Sequence, residues 1–251
     1  MADPALLELQ PQTLRAGAQV LARDLGLQVR RGQRWAVIGR NGAGKSTLLR
    51  LLAGLPATGR PPIRLQGRPL GDLAPAELAC CRSYMAALPH DRFGIAVLDA
   101  VMLAQRQPDA QRALDCLRRV DAPQLERRSL LGLSAGERQR VALAQVLAQD
   151  TALLLLDEPA SFQDPRHQAW LLRLLREQVP RTGQRALVFS AHDVNWVASL
   201  ATDVLALLPE GRWLAGSAAE VLQADTLQAV YDCAWQRIAR SGRGDLWLAL
   251  D

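Results

Sequence analysis

The feature that most constrains the fold is a glycine-rich segment between a short apolar run and an amphipathic one. Residues 35–38 are apolar, residues 39–47 read Gly-Arg-Asn-Gly-Ala-Gly-Lys-Ser-Thr, and residues 48–52 are mostly leucine. This order predicts a buried strand, a tight loop and a helix. Glycines allow the positive φ angles that turn successive N–H groups toward one point, and the helix start adds positive potential there. The segment therefore predicts a phosphate-binding loop at the end of a strand.

Composition singles out one residue of this loop. The chain has 251 residues and 30 basic side chains, of which 29 are arginine, so Lys45 is the only lysine. Lysine is a compact point charge and is not interchangeable with arginine at a phosphate. The pattern predicts that Lys45 bridges the β- and γ-phosphates of a nucleotide and that the Ser46 hydroxyl is a ligand of Mg²⁺. The predicted nucleotide-binding residues are Gly39, Arg40, Asn41, Gly42, Ala43, Gly44, Lys45, Ser46 and Thr47.

Two further apolar runs end in polar residues. Residues 152–156 read as a strand of a parallel sheet that is buried on both faces, and Asp157 and Glu158 follow it directly. Residues 186–190 read as another buried strand, with His192 just beyond it. Ligands bind at the carboxyl edge of such sheets. We therefore expect Asp157 to hold Mg²⁺ through water, Glu158 to polarise the water that attacks the γ-phosphate, and His192 to contact a γ-phosphate oxygen.

Composition and charge exclude several classes of protein. About half of the residues (49%) are apolar, which excludes intrinsic disorder and permits a core without disulfides. The four cysteines lack metal-binding spacing, no apolar run is long enough to span a membrane, and the first residues lack a signal-peptide pattern. The net charge is +5, but the basic residues are scattered, so nucleic-acid binding is only weakly indicated. We expect a protein of the reducing cytosol.

A later segment completes a resemblance to a known family. Residues 133–140 read Leu-Ser-Ala-Gly-Glu-Arg-Gln-Arg, and Ser134 precedes Asp157 by 23 residues. With the phosphate-binding loop and the acidic strand, this pattern resembles the ATP-binding cassette (ABC) ATPases over nearly the whole chain. The residues that match the family's signature sequence, with alanine and glutamate where glycine and glutamine are usual, are Ser134, Ala135, Gly136 and Glu137. Asp157 matches the Walker B aspartate, Asp164 belongs to the D-loop, and His192 matches the switch histidine.

The resemblance implies an α/β fold and an activity. The fold is that of a P-loop NTPase with a RecA-like core, an N-terminal antiparallel β-subdomain and an inserted helical subdomain. Residues 1–74 and 150–251 would form the core lobe, and residues 75–149 the helical lobe with the signature. The activity is ATP hydrolysis with Mg²⁺, for which Lys45, Glu158 and His192 are the implied catalytic residues. The signature of one copy would complete the ATP site of a second, so the resemblance implies a homodimer that sandwiches two ATP molecules.

Two positions depart from the family pattern. The Q-loop glutamine would stand after the strand in residues 83–89, where this chain has Ala87. The aromatic residue that stacks on adenine would stand near Arg15, and none is present there. Arginine can stack through its guanidinium plane. The departures bear on the rate and on nucleotide selectivity rather than on the type of reaction.

Two segments resemble a subgroup of the family. Residues 93–101 and 216–231 are similar to parts of the ATPases of iron-siderophore, haem and cobalamin importers. This resemblance implies an integral membrane permease, docked near residues 82–95, and an extracytoplasmic substrate-binding protein. The chain would then be peripheral on the cytoplasmic face of the membrane, with no nucleic-acid partner.

Two alternatives to an importer subunit stay open at this point. One is a soluble ABC ATPase that acts on nucleic acid or ribosomes. The other is a nucleotide-binding regulator that does not hydrolyse ATP, which Ala87 and the missing adenine aromatic suggest. The retained Glu158 and His192 favour hydrolysis.

Overall fold

A computed structural model describes residues 4–55, 62–87, 94–239 and 245–250. The strands are β1 (Leu7–Ala16), β2 (Gln19–Val29), β3 (Arg34–Ile38), β4 (Ile63–Leu65), β5 (Arg68–Pro69), β6 (Arg82–Met85), β7 (Leu153–Leu156), β8 (Ala186–Ser190), β9 (Asp203–Leu207), β10 (Trp213–Ser217), β11 (Ala234–Ile238) and β12 (Leu246–Leu250). The helices are α1 (Lys45–Leu52), α2 (Pro75–Cys81), α3 (Val97–Leu103), α4 (Ala110–Arg119), α5 (Ala135–Gln149), α6 (Pro165–Gln178), α7 (Val194–Leu200), α8 (Ala218–Val221) and α9 (Ala224–Tyr231).

A six-stranded sheet forms the centre of the protein. Its strand order is β10-β9-β3-β8-β7-β6, and all neighbours are parallel except the β9–β10 pair. The three predicted buried strands are confirmed as β3, β7 and β8. Because β3, β8, β7 and β6 run in the same direction, the loops that follow them leave from one edge of the sheet.

The two faces of this sheet are covered by different elements. Leu153 and Leu155 of β7 belong to an apolar cluster that includes α1 and the N-terminal strands. Leu154 and Leu156 belong to a second cluster formed with helices α3 to α7. Alternation along a strand places successive side chains on opposite faces. The continuous leucine run is therefore buried on both sides, as the sequence predicts for a parallel strand.

A smaller antiparallel sheet, ordered β2-β1-β4-β5, covers the first face. The resemblance implies an N-terminal antiparallel β-subdomain, and its first strand, β1, continues through Pro11 to Ala16. The β1–β2 register shifts between Leu9 and Gln12, so Pro11 lies in a bulge, where a missing N–H is tolerated. Strands β4 and β5 form a short antiparallel hairpin at one edge of this sheet.

Residues 75–149 are not helical throughout. Strand β6 lies inside this segment and is the edge strand of the central sheet, paired in parallel with β7. We propose that the helical lobe begins beyond β6 and consists of α3, α4 and α5. The predicted docking segment, residues 82–95, lies partly outside the described residues, which omit 88–93.

The C-terminal part adds a separate two-stranded antiparallel sheet, β11–β12. Asn195 of α7 holds it, because its side chain both donates to the Trp247 carbonyl (3.0 Å) and accepts from the Trp247 N–H (2.7 Å). Within the described residues, no helix has the length and apolar character needed to cross a bilayer.

Truncation of a buried side chain of β7 is expected to cause a large loss of stability. Leu155 is fully buried between the sheet and α1. We expect Leu155→Ala to lower the free energy of unfolding by about 2–5 kcal/mol, because it removes apolar burial and leaves a cavity. Leu103→Ala is the control, since Leu103 is 73% exposed on α3 and its truncation should change stability by under about 1 kcal/mol. Urea unfolding of both variants measures the difference, and equal losses would contradict the assigned burial.

Candidate active site

The predicted phosphate-binding loop joins β3 to α1. Gly42 and Gly44 adopt φ angles of 79° and 104°, which favour glycine. A Cβ at Gly44 would lie 2.8 Å from the Leu21 side chain, so the loop also packs closely against β2. Helix α1 begins without a side-chain cap, whereas α4, α5, α6 and α7 are each capped by an acid or a serine. Its first N–H groups thus remain available to an anion.

Lys45 is buried at the first position of α1, with 6% of its surface exposed. Its Nζ donates to the carbonyls of Gly39 (2.9 Å) and Arg40 (3.2 Å). Burial lowers the pKa of Lys45, while the nearby carboxylates of Glu158 and Asp157 act in the opposite direction. The structure therefore brings the single lysine together with the acidic pair that follows β7. An ammonium group has three donors, so one is left for a ligand.

Ser190, the last residue of β8, connects the two acids. Its hydroxyl donates to Asp157 Oδ1 (2.5 Å) and accepts from the Glu158 N–H (2.9 Å). Asp157 is almost completely buried, with 2% of its surface exposed. Its own N–H donates to the Met85 carbonyl of β6 (2.9 Å). A carboxylate held in this way has a fixed orientation.

Glu158 follows the end of β7, and its side chain contacts His192, the histidine predicted beyond β8. His192 Nε2 is 2.6 Å from Glu158 Oε1, and the Ser161 hydroxyl donates to Glu158 Oε2 (3.1 Å). The Glu158 backbone has a φ of 50°, a left-handed conformation that is uncommon for a residue with a side chain. Such conformations persist where the surroundings hold them, and they concentrate at functional sites.

The signature residues form the N-terminus of α5. Ser134 and Glu137 cap each other: Ser134 Oγ accepts from the Glu137 N–H (3.3 Å), and Glu137 Oε2 accepts from the Ser134 N–H (2.8 Å). These bonds lower the pKa of Glu137, and Arg128 pairs with its carboxylate at 3.1 Å. In the part of the chain that the structure describes, no hydrogen bond or ion pair joins residues 134–137 to residues 39–47.

The D-loop lies against the signature helix of the same chain. A Cβ on Gly136 would lie 2.9 Å from the Phe162 carbonyl oxygen, so only glycine fits this approach. Gln163 Nε2 donates to the Gly136 carbonyl (3.0 Å) and to Gln139 Oε1 (3.1 Å). Phe162 has a φ of 60° and is 60% exposed. The backbone thus turns a large apolar side chain away from its own core.

Asp164 caps α6 rather than facing the acidic pair. Its carboxylate accepts from the His167 N–H and contacts the His167 ring nitrogen Nδ1, both at 2.9 Å. These contacts lower the pKa of Asp164. The other ring nitrogen of His167 lies 2.7 Å from Arg140 of α5 and 3.3 Å from Asp121, beyond α4. This cluster connects the D-loop to the helical part of the chain.

The two departures from the family pattern lie close to the site. Ala87 follows β6, the neighbour of β7, and has only a methyl side chain to offer. Arg15 is exposed and pairs in register with Val20, next to the Leu21 that packs on Gly44. The end of the β1–β2 hairpin therefore borders the phosphate-binding loop.

Three residues of the site were not predicted from the sequence: Ser190, Gln139 and Gln163. Ser190 is the one polar residue of the apolar strand β8, and it stands at the end of the strand where the site lies. This position could have been used to predict it as a site residue. Gln139 stands on the apolar side of α5, four residues before Leu143, where a polar residue needs a partner. Gln163 lies in residues 161–164, which resemble the D-loop, but nothing in the sequence indicates what its side chain contacts.

The donor set fits a magnesium ion. Among the described residues, no group of three or more His, Cys, Asp and Glu could hold a metal by itself. Mg²⁺ is usually held by one or two carboxylates together with substrate phosphates and water. The buried Asp157 carboxylate and the Ser46 hydroxyl at the start of α1 are oxygen donors of the required type.

Comparison with known proteins identifies the family. A family profile described as ABC transporter matches residues 22–161, more than half of the chain. The chain belongs to the ABC transporter family. It is an ATP-binding subunit and an ATPase of this family, as the sequence predicts.

Several relatives are similar to this chain over most of its length. This ABC ATPase is 38% identical over 225 residues to the hemin import ATP-binding protein HmuV of Streptomyces coelicolor, covering 86% of this chain and 79% of that protein. The protein of the same name from Pseudomonas putida is 38% identical over 238 residues, covering 90% and 92%.

Solved structures of other ABC transporters show the same fold. A metal-chelate type ABC transporter in an inward-facing conformation superimposes on this ABC ATPase with a TM-score of 0.81 at 24% identity, covering 98% of both chains. A bacterial Atm1-family ABC exporter with ATP bound gives a TM-score of 0.77 at 23% identity, covering 91% of this chain and 43% of that chain. The α/β P-loop fold that the resemblance implies is confirmed.

The position of Lys45 predicts a specific loss of nucleotide affinity. We expect Lys45→Met to weaken ATP binding about 10- to 100-fold, because a charge-assisted hydrogen bond is lost. Lys45→Arg should bind poorly as well, since a planar guanidinium does not fit where Nζ contacts two carbonyls. Calorimetric titration with ATP measures both. Arg50→Met removes an exposed charge from the last turn of the same helix and should bind ATP normally; an equal loss in that variant would refute the specific role of Lys45.

Proposed function

We propose that this chain is the ATP-hydrolysing subunit of a multi-chain importer for haem or a related metal chelate, such as an iron-siderophore or cobalamin. The observation that supports hydrolysis is the 2.6 Å contact between His192 and Glu158, at the sheet edge that also carries Lys45. The observation that supports import of haem is the similarity, over most of both chains, to proteins named hemin import ATP-binding protein.

Binding of the triphosphate would begin at α1. The uncapped N–H groups of residues 44–47 attract its phosphate oxygens, and the third donor of Lys45 binds between the β- and γ-phosphates. Ser46 and Asp157 would hold Mg²⁺, which neutralises phosphate charge when it is bound. Ala87 supplies no oxygen, so water would fill the place of the usual glutamine. Arg15, at the hairpin end, is the residue available to stack on the base.

Activation of water would fall to Glu158. A carboxylate acts as a general base when it is within hydrogen-bond reach of the attacking water. Ser161 and His192 hold the two Glu158 oxygens, and these contacts fix the direction in which the remaining lone pairs point. His192 is partly exposed while it contacts Glu158, so its ring remains accessible to a γ-phosphate oxygen and would respond when that oxygen leaves.

A second copy would complete the site. Among the residues that the structure describes, no hydrogen bond or ion pair joins the signature residues 134–137 to the phosphate-binding loop, and the N-terminus of α5 offers positive potential to a phosphate. Glu137 is an acid where the family usually has glutamine, but Arg128 neutralises it locally. The exposed Phe162 stands beside this helix. We therefore propose an isologous dimer in which each signature faces the ATP of the other copy.

Coupling to transport requires further chains. We propose that the dimer binds an integral membrane permease on the cytoplasmic face of the membrane, and that an extracytoplasmic binding protein delivers the substrate to that permease. No nucleic-acid partner is proposed, because the basic residues do not form a single patch in the sequence. The direct contact of His192 with Glu158 favours a hydrolysing subunit over a silent regulator.

Replacement of the proposed base tests hydrolysis. We expect Glu158→Gln to lower ATP turnover about 100-fold or more and to leave ATP binding intact, so that ATP-bound dimers accumulate. Phosphate release and size-exclusion chromatography with Mg-ATP measure the two effects. Glu177→Gln changes an exposed acid of α6 and should behave as wild type. Unchanged turnover in Glu158→Gln would remove Glu158 from the catalytic role.

Reconstitution tests the transport role. The wild-type chain should co-purify with a multi-span permease, and a haem-loaded binding protein should stimulate ATP turnover of that complex in liposomes. Binding proteins loaded with ferric siderophore or cobalamin serve as comparisons for the substrate class. A chain that binds no permease, or that binds RNA with steep salt dependence, would contradict the importer assignment and favour the soluble alternative.

A further inference from the structure

The backbone of Glu158 is held at both of its peptide groups by buried side chains. Its N–H donates to the Ser190 hydroxyl (2.9 Å), and its carbonyl accepts from Gln139 Nε2 (2.7 Å). This residue is in the left-handed conformation, with a φ of 50°. A peptide in an unfavourable conformation relaxes unless its surroundings oppose the change. The two hydrogen bonds oppose it from opposite sides.

Gln139 belongs to a different element from the residue that it holds. It lies in the second turn of α5, five residues after Ser134, and only 2% of its surface is exposed. Its Nε2 donor is used by Glu158, and its Oε1 accepts from Gln163 Nε2 (3.1 Å). The amide is therefore fixed in one orientation by partners on both ends.

Gln163 closes the connection to the first turn of α5. The same Nε2 that contacts Gln139 also donates to the Gly136 carbonyl (3.0 Å). Gly136 in turn lies against the Phe162 backbone, too close for any side chain. Hydrogen bonds thus link the first turn of α5, the D-loop and the Glu158 peptide into one network. A shift of α5 must therefore move Gln139 Nε2, which donates to the Glu158 carbonyl.

We propose that Gln139 is a positioning residue that sets the orientation of Glu158 according to the position of the signature helix. The inference rests on the proposed role of Glu158 and extends it. When the signature residues bind the ATP of a second copy, α5 packs against that ligand. Gln139 then makes the orientation of the Glu158 carboxylate in its own chain depend on the position of α5. A misplacement of about 1 Å is enough to lower a rate about 100-fold.

The test uses a change that keeps the shape and removes the donor. Gln139→Met retains the length of the side chain and should lower kcat for ATP about 10-fold or more, with KM and ATP affinity changed less than about two-fold. Gln145→Met is the matched control: Gln145 lies on the same helix, and its Nε2 donates to the Ala100 carbonyl (3.2 Å), far along α5 from Glu158. It should lose similar thermal stability and keep the wild-type kcat.

Combination with Glu158→Gln separates this inference from the proposed function. If Gln139 acts through Glu158, adding Gln139→Met to Glu158→Gln should lower turnover no further. A multiplicative loss in the double variant, or a wild-type kcat in Gln139→Met, overturns the positioning role while Glu158 keeps its own. A rise in KM with unchanged kcat overturns it as well, because that result marks a general disturbance of ATP binding. Normal turnover in Glu158→Gln itself would instead refute the proposed function.

Discussion

The site depends on the parallel pairing of β3, β8 and β7. These strands are hydrogen-bonded side by side in the same direction, so the loop after β3 and the acids after β7 reach one edge together. More than a hundred residues separate Lys45 from Asp157 in sequence. The charges of Glu158 and Asp157 nevertheless act on the pKa of Lys45, because the parallel strands bring their carboxyl ends to the same edge of the sheet. The burial of both sheet faces makes this register hard to change.

Ser190 shows how neutral groups support a charged site. The Ser190 hydroxyl donates to the Asp157 carboxylate and accepts from the Glu158 N–H, so a single small side chain helps to orient two adjacent acids for which we propose different roles. Burying polar atoms of this kind costs free energy unless they form hydrogen bonds. Here each hydrogen bond also fixes the orientation of one of the two acidic residues. The chemistry of the site therefore depends on uncharged residues as much as on the charged ones.

Much of this arrangement could be predicted from the sequence. The loop at 39–47, the strand before Asp157 and the cap at Ser134 follow from local rules: glycine conformation, apolar run length and the spacing of Ser134 and Glu137. Long-range pairing could not be predicted in the same way. The extension of β1 past Pro11 depends on a bulge that only its partner strand defines, and β6 is joined to the sheet by β7.

The residues that the sequence analysis missed have a common physical cause. Gln139 and Gln163 are informative only through the groups that they contact, and those groups lie 19 and 27 residues away along the chain. A glutamine in an apolar stripe signals that a partner exists, but not which one. The left-handed φ of Glu158 is likewise invisible in the sequence, because no glycine marks it.

The strand order has a consequence for how the chain is synthesised. Strand β3 lies between β8 and β9, which are made only when residues 186–207 leave the ribosome. Until then the nascent chain holds an apolar strand without either of its neighbours in the sheet. Contacts of such high sequence separation form slowly and leave hydrophobic surface exposed meanwhile. We therefore expect this protein to gain nucleotide binding late in synthesis, once β8 and β9 have joined β3 in the sheet.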